Sequence, residues 1–101
     1  MYDLGARATE RFEGARDRVA GFVNAADRRE IVFTRGATEA INLVAWSWLW
    51  PRARPGGRVV VSWMDHHANI VPFQQVARAA GLELAACRLT ATGELDLDHL
   101  A

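Results

Sequence analysis

Lysine is missing from this chain of 101 residues: its twelve basic side chains are all arginine, and twelve acidic ones balance them. Every fixed cation is therefore a guanidinium, and the formal net charge is zero. With both signs scattered along the chain, no cationic face emerges for nucleic acid or an anionic membrane, and neither partner is expected. Cysteine is nearly absent. Cys87, the only one, has no mate for an internal disulfide and offers at most one thiolate ligand. That argues against a disulfide or zinc scaffold and for a reducing, cytoplasmic compartment of the bacterial type. Long apolar runs are lacking too. The richest, Ala40 to Trp50, is broken by Asn42 and Ser47 and falls short of the ~20 residues of a membrane span. No charged stretch leads into an apolar one at the N-terminus, so no secretory signal is expected.

Half of the residues are hydrophobic, enough for a modest core at the lower end of domain size, about 100 to 200 residues. Leu4, Ala8, Phe12, Ala15, Val19 and Val23 recur at steps of three and four, with Arg7, Glu10, Arg11, Glu13, Arg16 and Arg18 between them. This spacing predicts an amphipathic surface helix. After a polar break at Asn24 to Asp27, the run Ile31-Val32-Phe33 predicts a buried strand over Glu30 to Thr34. Ala37, Ala40, Ile41, Val44, Ala45, Trp48 and Leu49 then share a helical face, while Leu43, Trp46 and Trp50 add apolar surface elsewhere. A helix greasy on several sides is expected to be sandwiched.

Pro51, Pro55, Gly56 and Gly57 stop that helix, and Val59-Val60-Val61 predicts a second, fully buried strand. Ile70, Phe73, Val76, Ala77 and Ala80 mark a third helix, with Asn69 as its expected N-cap, Pro72 in its first turn and Gly81 as its stop. Leu82 to Leu89 predicts a third strand, Thr90 to Glu94 a turn, and Asp96 the cap of a last helix that has barely started by Ala101. Strands alternating with helices predict an α/β fold with parallel strands and helical crossovers. Ligands gather at the C-terminal ends of such strands.

Two loops stand at those predicted ends. Thr34-Arg35-Gly36-Ala37-Thr38-Glu39 puts a glycine and a hydroxyl at the start of a helix, where free backbone N–H groups and the positive dipole end can hold a phosphate. The same residues admit a plainer reading, in which Gly36 permits the turn, Thr38 caps the helix, and Arg35 pairs with Glu39 four residues on. Trp63-Met64-Asp65-His66-His67-Ala68-Asn69 carries adjacent imidazoles able to stack on a flat ring or move a proton, or to serve only as polar loop residues bonded to Asp65 and Asn69. Metal binding is not expected, because Cys87 and His99 stand at no spacing typical of zinc. Cys87 itself lies in a strand pattern without a basic neighbour and reads as a buried structural thiol. The tryptophans read as core or interface.

Together the segments Thr34-Arg35-Gly36-Ala37-Thr38-Glu39-Ala40-Ile41-Asn42-Leu43-Val44-Ala45 and Ser62-Trp63-Met64-Asp65-His66-His67-Ala68-Asn69-Ile70-Val71-Pro72-Phe73-Gln74 resemble the SufS/CsdA branch of the cysteine desulfurases. These are class V aminotransferase-type enzymes of the fold type I pyridoxal 5'-phosphate (PLP) group. Arg18 to Asn24 and Leu89 to Leu100 extend the resemblance along essentially the whole chain. The chain departs from the branch at Asp65, where Glu is usual, at Ala37, where Thr is common, and at Phe73, where Trp is usual.

The resemblance implies that the backbone N–H of Ala37 and the hydroxyl of Thr38 hold the PLP phosphate, and that His66 stacks on the pyridine ring and helps move protons. It implies conversion of L-cysteine to L-alanine, with the sulfur passed to an acceptor protein for iron-sulfur cluster assembly, by a homodimer. Selenocysteine lyase, cysteine sulfinate desulfinase and a related epimerase share the scaffold. In the family a lysine that anchors the cofactor and the cysteine that takes the sulfur come later in the chain. With no lysine, and with Cys87 outside the catalytic cysteine's motif, residues 1–101 are expected to form a truncated part of the large PLP-binding domain, inactive alone. The alternative is a noncatalytic remnant or interaction module.

Overall fold

The computed structural model describes residues Tyr2–Leu100 and divides into two compact units, Met1–Phe33 and Thr34–Ala101. The first unit is built on α1, Tyr2–Phe22. Asn24 ends this helix in the left-handed conformation (φ 57°), which lets the Ala25 N–H reach back to the Ala20 carbonyl at 2.9 Å. The polar break thus works as a helix stop.

Arg16 organises the return of the chain. Its guanidinium lies 5.2 Å from the Phe12 ring and 5.3 Å from the Phe33 ring, and it also donates to the Ile31 carbonyl. The two rings meet edge to face at 5.2 Å. Each such cation–π contact contributes about 0.5–1 kcal/mol at an exposed site. Arg28 forks onto Asp17, and the resulting hydrogen bonds hold the Asp17 carboxyl below its ordinary pKa. Between them, Asp27 accepts the Arg29 N–H and Glu30 accepts the Asp27 N–H, a reciprocal cap on the short 3₁₀ turn Arg28–Glu30.

That turn takes up Glu30, and the predicted strand over Glu30 to Thr34 is not formed. Ile31 has extended dihedrals, but no strand pairs with it among the described residues, and Val32 is 61% exposed. An extended segment without a neighbour has no ladder, whatever its β-propensity.

The second unit has the α/β order expected of it. β1, Arg58–Ser62, leads through α3, His67–Ala80, to β2, Glu83–Cys87. The strands pair in parallel, in register from Arg58 opposite Glu83 to Ser62 opposite Cys87, and an Arg58–Glu83 ion pair at 3.0 Å marks the first rung. α3 packs on both strands, and Val61, Val76, Ala77 and Cys87 are buried in this unit. Val60 is 47% exposed, so β1 is half-buried and not fully buried as predicted: helix α3 lies on the sheet, and the pleat turns alternate side chains away from it.

α3 starts earlier than predicted. Its N-cap is His66 and not Asn69, so Pro72 falls in the second turn, buried, rather than in the first. Gly81 closes the helix in the left-handed conformation (φ 69°), its N–H returning to the Ala77 carbonyl. Beyond β2, the predicted turn at Thr90 to Glu94 forms beneath a bridge between Leu89 and Leu95. Asp96 caps α4, Leu97–Leu100, through the His99 N–H at 3.2 Å. The helix thus starts directly after its expected cap, and Ala101 lies outside the described residues.

The tryptophan-bearing helix starts as α2, Ala37–Leu43, widens to a π-helical stretch at Val44–Leu49 and tightens to a 3₁₀ turn at Trp50–Arg52. It packs on α3 and buries Ala45, but Trp46, Trp48 and Trp50 remain exposed, so it is not sandwiched and they are not core. Burial on several sides needs a layer on each, and within this unit α3 supplies one. No helix among the described residues is long and apolar enough to cross a membrane.

Candidate functional site

The start of α2 is an open concavity of about 570 Å³ lined by Arg35, Gly36, Ala37, Thr38, Glu39 and Asn42. Gly36 is the N-cap and has no side chain to satisfy the first amides of the helix. Its carbonyl accepts the Ala40 N–H at 3.1 Å and the Thr34 hydroxyl at 3.0 Å. Its backbone is extended (φ 165°), a conformation open to any residue, and a Cβ built there meets nothing within 4 Å. Neither the turn nor the packing of this chain therefore requires glycine at position 36.

Thr38 does not cap the helix. Its hydroxyl has no hydrogen-bond partner among the described residues, while its carbonyl accepts from the Asn42 amide at 2.9 Å. Both plain readings of this loop thus fail on geometry, except the pairing of Arg35 with Glu39. One Glu39 oxygen accepts the Arg35 backbone N–H at 2.9 Å and the Arg35 Nε at 3.0 Å. The backbone bond, then the side-chain bond, holds the Glu39 carboxyl below its ordinary pKa. Glu39 is thereby turned back onto Arg35, and the acidic charge in the first turn is paired.

Asn42 also lines the concavity, and the motif reading gave it no part. Its position four residues after Thr38, one helical turn on, was the available signal.

His66 is placed by the turn after β1. Ser62 and Asp65 lock that turn: the Ser62 N–H donates to the Asp65 carboxylate at 2.9 Å, and the Met64 N–H to the Ser62 hydroxyl at 2.9 Å. His66 then caps α3, its Nδ1 accepting the Ala68 N–H at 3.2 Å. The ring is exposed and meets His67 edge to face at 6.1 Å. Neither Asp65 nor Asn69 bonds the imidazole: Asp65 is committed to Ser62, and Asn69 gives its backbone N–H to the His66 carbonyl. The concavity at α2 gathers Ala37 and Thr38; His66 is not among its lining residues, although the helices carrying the two loops pack together. The first loop also does not follow a strand, as expected of it, because residues 31–34 form none.

Cys87 is buried, with its sulfur 3.6 Å from the carbonyls of Arg88 and Asp96. No group of three or more His, Cys, Asp or Glu able to hold a metal occurs among the described residues.

The aminotransferase class-V family model matches residues 1–101. The chain belongs to the class-V aminotransferase family. It is 50% identical over 100 residues to a cysteine desulfurase of Dickeya dadantii, covering 99% of this chain and 24% of that protein. It is 45% identical over 98 residues to a cysteine desulfurase of Synechococcus elongatus, covering 97% of this chain and 16% of that protein. Among solved structures, the cysteine desulfurase CsdA from Escherichia coli superposes with a TM-score of 0.83 at 44% identity, over 94% of this chain and 24% of that one. An apo cysteine desulfurase from Thermococcus onnurineus superposes with a TM-score of 0.85 at 35% identity, over 95% and 24%. This family member thus spans a quarter or less of the length of these relatives, and its parallel α/β unit is that of cysteine desulfurase structures.

Proposed function

We propose that this class-V aminotransferase chain supplies part of the PLP-binding domain of a cysteine desulfurase, with residues 1–101 carrying the phosphate cradle and a ring-stacking histidine. The observation that carries the reading is the uncapped start of α2: a glycine that the fold does not require, and a threonine hydroxyl without a partner among the described residues. A phosphate fits such a place, since it accepts from backbone amides and from a hydroxyl, and the helix dipole favours its charge. Ala37 would donate its N–H and Thr38 its hydroxyl.

PLP, when bound, supplies an electron sink for carbanion chemistry at the amino-acid Cα. His66 would lie against its ring. With Nδ1 accepting from Ala68, neutral His66 carries its proton on Nε2, the atom left to exchange a proton. The complete enzyme would be a cytoplasmic homodimer converting L-cysteine to L-alanine and passing sulfur to an acceptor protein for iron-sulfur cluster assembly. The chain alone, without a lysine, is inactive on this reading.

Titration of the ¹⁵N-labelled chain with PLP tests the proposal. Saturable amide shifts are expected at Gly36, Ala37 and Thr38. Thr38→Val should weaken binding at least about tenfold, the effect of losing one hydrogen bond to a charged group, ~1.5–3 kcal/mol. After borohydride reduction, mass spectrometry should find no side-chain adduct. Equal affinity in Thr38→Val would overturn the cradle, and cysteine turnover by the chain alone would overturn its status as a part.

A further inference from the structure

One acidic side chain in the His66 loop is turned inward. Asp65 is half-buried, while Trp63, Met64, His66 and His67 on either side of it are exposed. A carboxylate gives up water only against a partner that replaces it, and Asp65 finds one in the backbone of Ser62, the last residue of β1. Its carboxylate accepts the Ser62 N–H at 2.9 Å, and its own N–H donates to the Ser62 carbonyl at 3.1 Å. The turn is thus closed twice between the same two residues. Its base is fixed as well, because Ser62 stands opposite Cys87 in the sheet and the Trp63 N–H donates to the Cys87 carbonyl at 3.1 Å.

His66 is the next residue along the chain. Its backbone is extended (φ −64°, ψ 148°), its carbonyl accepts the Asn69 N–H at 2.8 Å, and its Nδ1 accepts the Ala68 N–H at 3.2 Å. The Ala68 N–H is the only hydrogen-bond partner of this exposed ring among the described residues. A single bond of 3.2 Å to a neutral ring is the weaker tie, and the charge-assisted bond of 2.9 Å at Asp65 the stronger. The direction in which the backbone leaves the turn therefore decides whether the ring reaches Ala68. Asp65 does not touch the imidazole, so its effect passes through the turn.

We propose that Asp65 is the positioning residue for His66: by closing the turn from Ser62 it keeps Nδ1 on the Ala68 N–H and thereby leaves the imidazole proton on Nε2. What Nε2 does with that proton rests on the proposed PLP site, whereas how the ring is held rests on the turn alone.

The test compares the full ¹⁵N-labelled chain as parent, Asp65→Ala and Asp65→Asn at about pH 8, where an ordinary imidazole is neutral. The ring ¹⁵N shifts of His66 report the tautomer. Amide exchange at Ala68 is set against exchange at Val76 and Ala77, which are buried in the same helix. In the parent, one ring nitrogen should be protonated and the other bare. In Asp65→Ala the two ring signals should draw together by at least about half, as the fixed acceptor at Nδ1 is lost. Ala68 exchange should quicken at least about fivefold, with Val76 and Ala77 within about twofold of the parent. Asp65→Asn keeps an acceptor at the same reach and should return both readouts to the parent pattern.

Unchanged ring shifts and Ala68 exchange in Asp65→Ala would overturn the proposal. Equal acceleration at Ala68, Val76 and Ala77 would do the same, by making Asp65 a folding residue. PLP is then added to the parent and to Asp65→Ala. Amide shifts at Ala37 and Thr38 should persist in both, while the PLP-induced shift of the His66 ring should fall at least about threefold in Asp65→Ala. No His66 ring shift in the parent would overturn stacking by His66, and the tautomer comparison made without PLP would still decide the part played by Asp65.

Discussion

Helix α2 begins at Gly36 with no side chain over its first amides, whereas α3 begins at His66, whose own imidazole accepts the Ala68 N–H. Both starts carry residues of one family motif, yet their local chemistry is opposite. The α2 start spends its nearby carboxylate, Glu39, backward on Arg35, and leaves Ala37 and Thr38 facing an open concavity. The α3 start uses its functional candidate as a structural part. A helix end can hold a ligand only with donors its own chain has not used. By that measure the α2 start has donors to spare, and under the proposed function His66 would serve two roles at once.

The largest way to break this contrast is to fill the open start. Gly36→Val adds a branched side chain where the backbone is extended and nothing lies within 4 Å, so folding should lose no more than about 1 kcal/mol, the cost of a poorer N-cap residue. Close approach of a phosphate to the backbone would be blocked. PLP affinity should fall roughly a hundredfold, about 2.7 kcal/mol at 1.36 kcal/mol per decade. Calorimetric titration and thermal unfolding of the same variant separate the two effects. A large loss of stability with little loss of affinity would make Gly36 a folding residue.

The contrast also shows which features were legible from residue order. The β1–α3–β2 unit was, because three valines, a helical stripe and a glycine stop each report on neighbours close in the chain. Residues 31–33 misled, since an apolar run records that a segment is suited to a sheet and not that a partner strand stands beside it. The Trp46, Trp48 and Trp50 side chains misled similarly: helical spacing marks an apolar surface but does not say which layer covers it. At the site, the Arg35–Glu39 pair followed from i,i+4 spacing. The cap at His66 did not, because Asn69 is the better capping residue by type and only the turn at Ser62 to Asp65 moves the helix start forward.

A smaller effect is expected from the closed start. His66→Ala should cost about 1 kcal/mol of stability through loss of the cap on the Ala68 N–H, and His66→Asn should restore most of it. Urea unfolding of the three proteins checks this. If His66→Ala unfolds at the same midpoint as the parent, the imidazole is not a working cap, and the two helix starts are more alike than their geometry suggests.

The smallest effect concerns the pairing that keeps α2 open. Glu39 is held below its ordinary pKa of 4.5, first by the Arg35 N–H and then by its side chain. A carboxylate with a depressed folded pKa contributes stability above the unfolded value, and that contribution is lost as pH falls through the folded value. Asp17 and Asp27 are shifted in the same direction, by Arg28 and Arg29. The parent chain should therefore weaken from about pH 5 downward through all three, and Glu39→Gln should remove only its own share of the slope. The pair is exposed and its share is small. It is best read from the difference in urea midpoint between pH 6 and pH 3 for Glu39→Gln and for Asp17→Asn. An unchanged slope in Glu39→Gln, with a reduced one in Asp17→Asn, would confine the acid sensitivity to the first unit and leave the α2 start indifferent to its pairing.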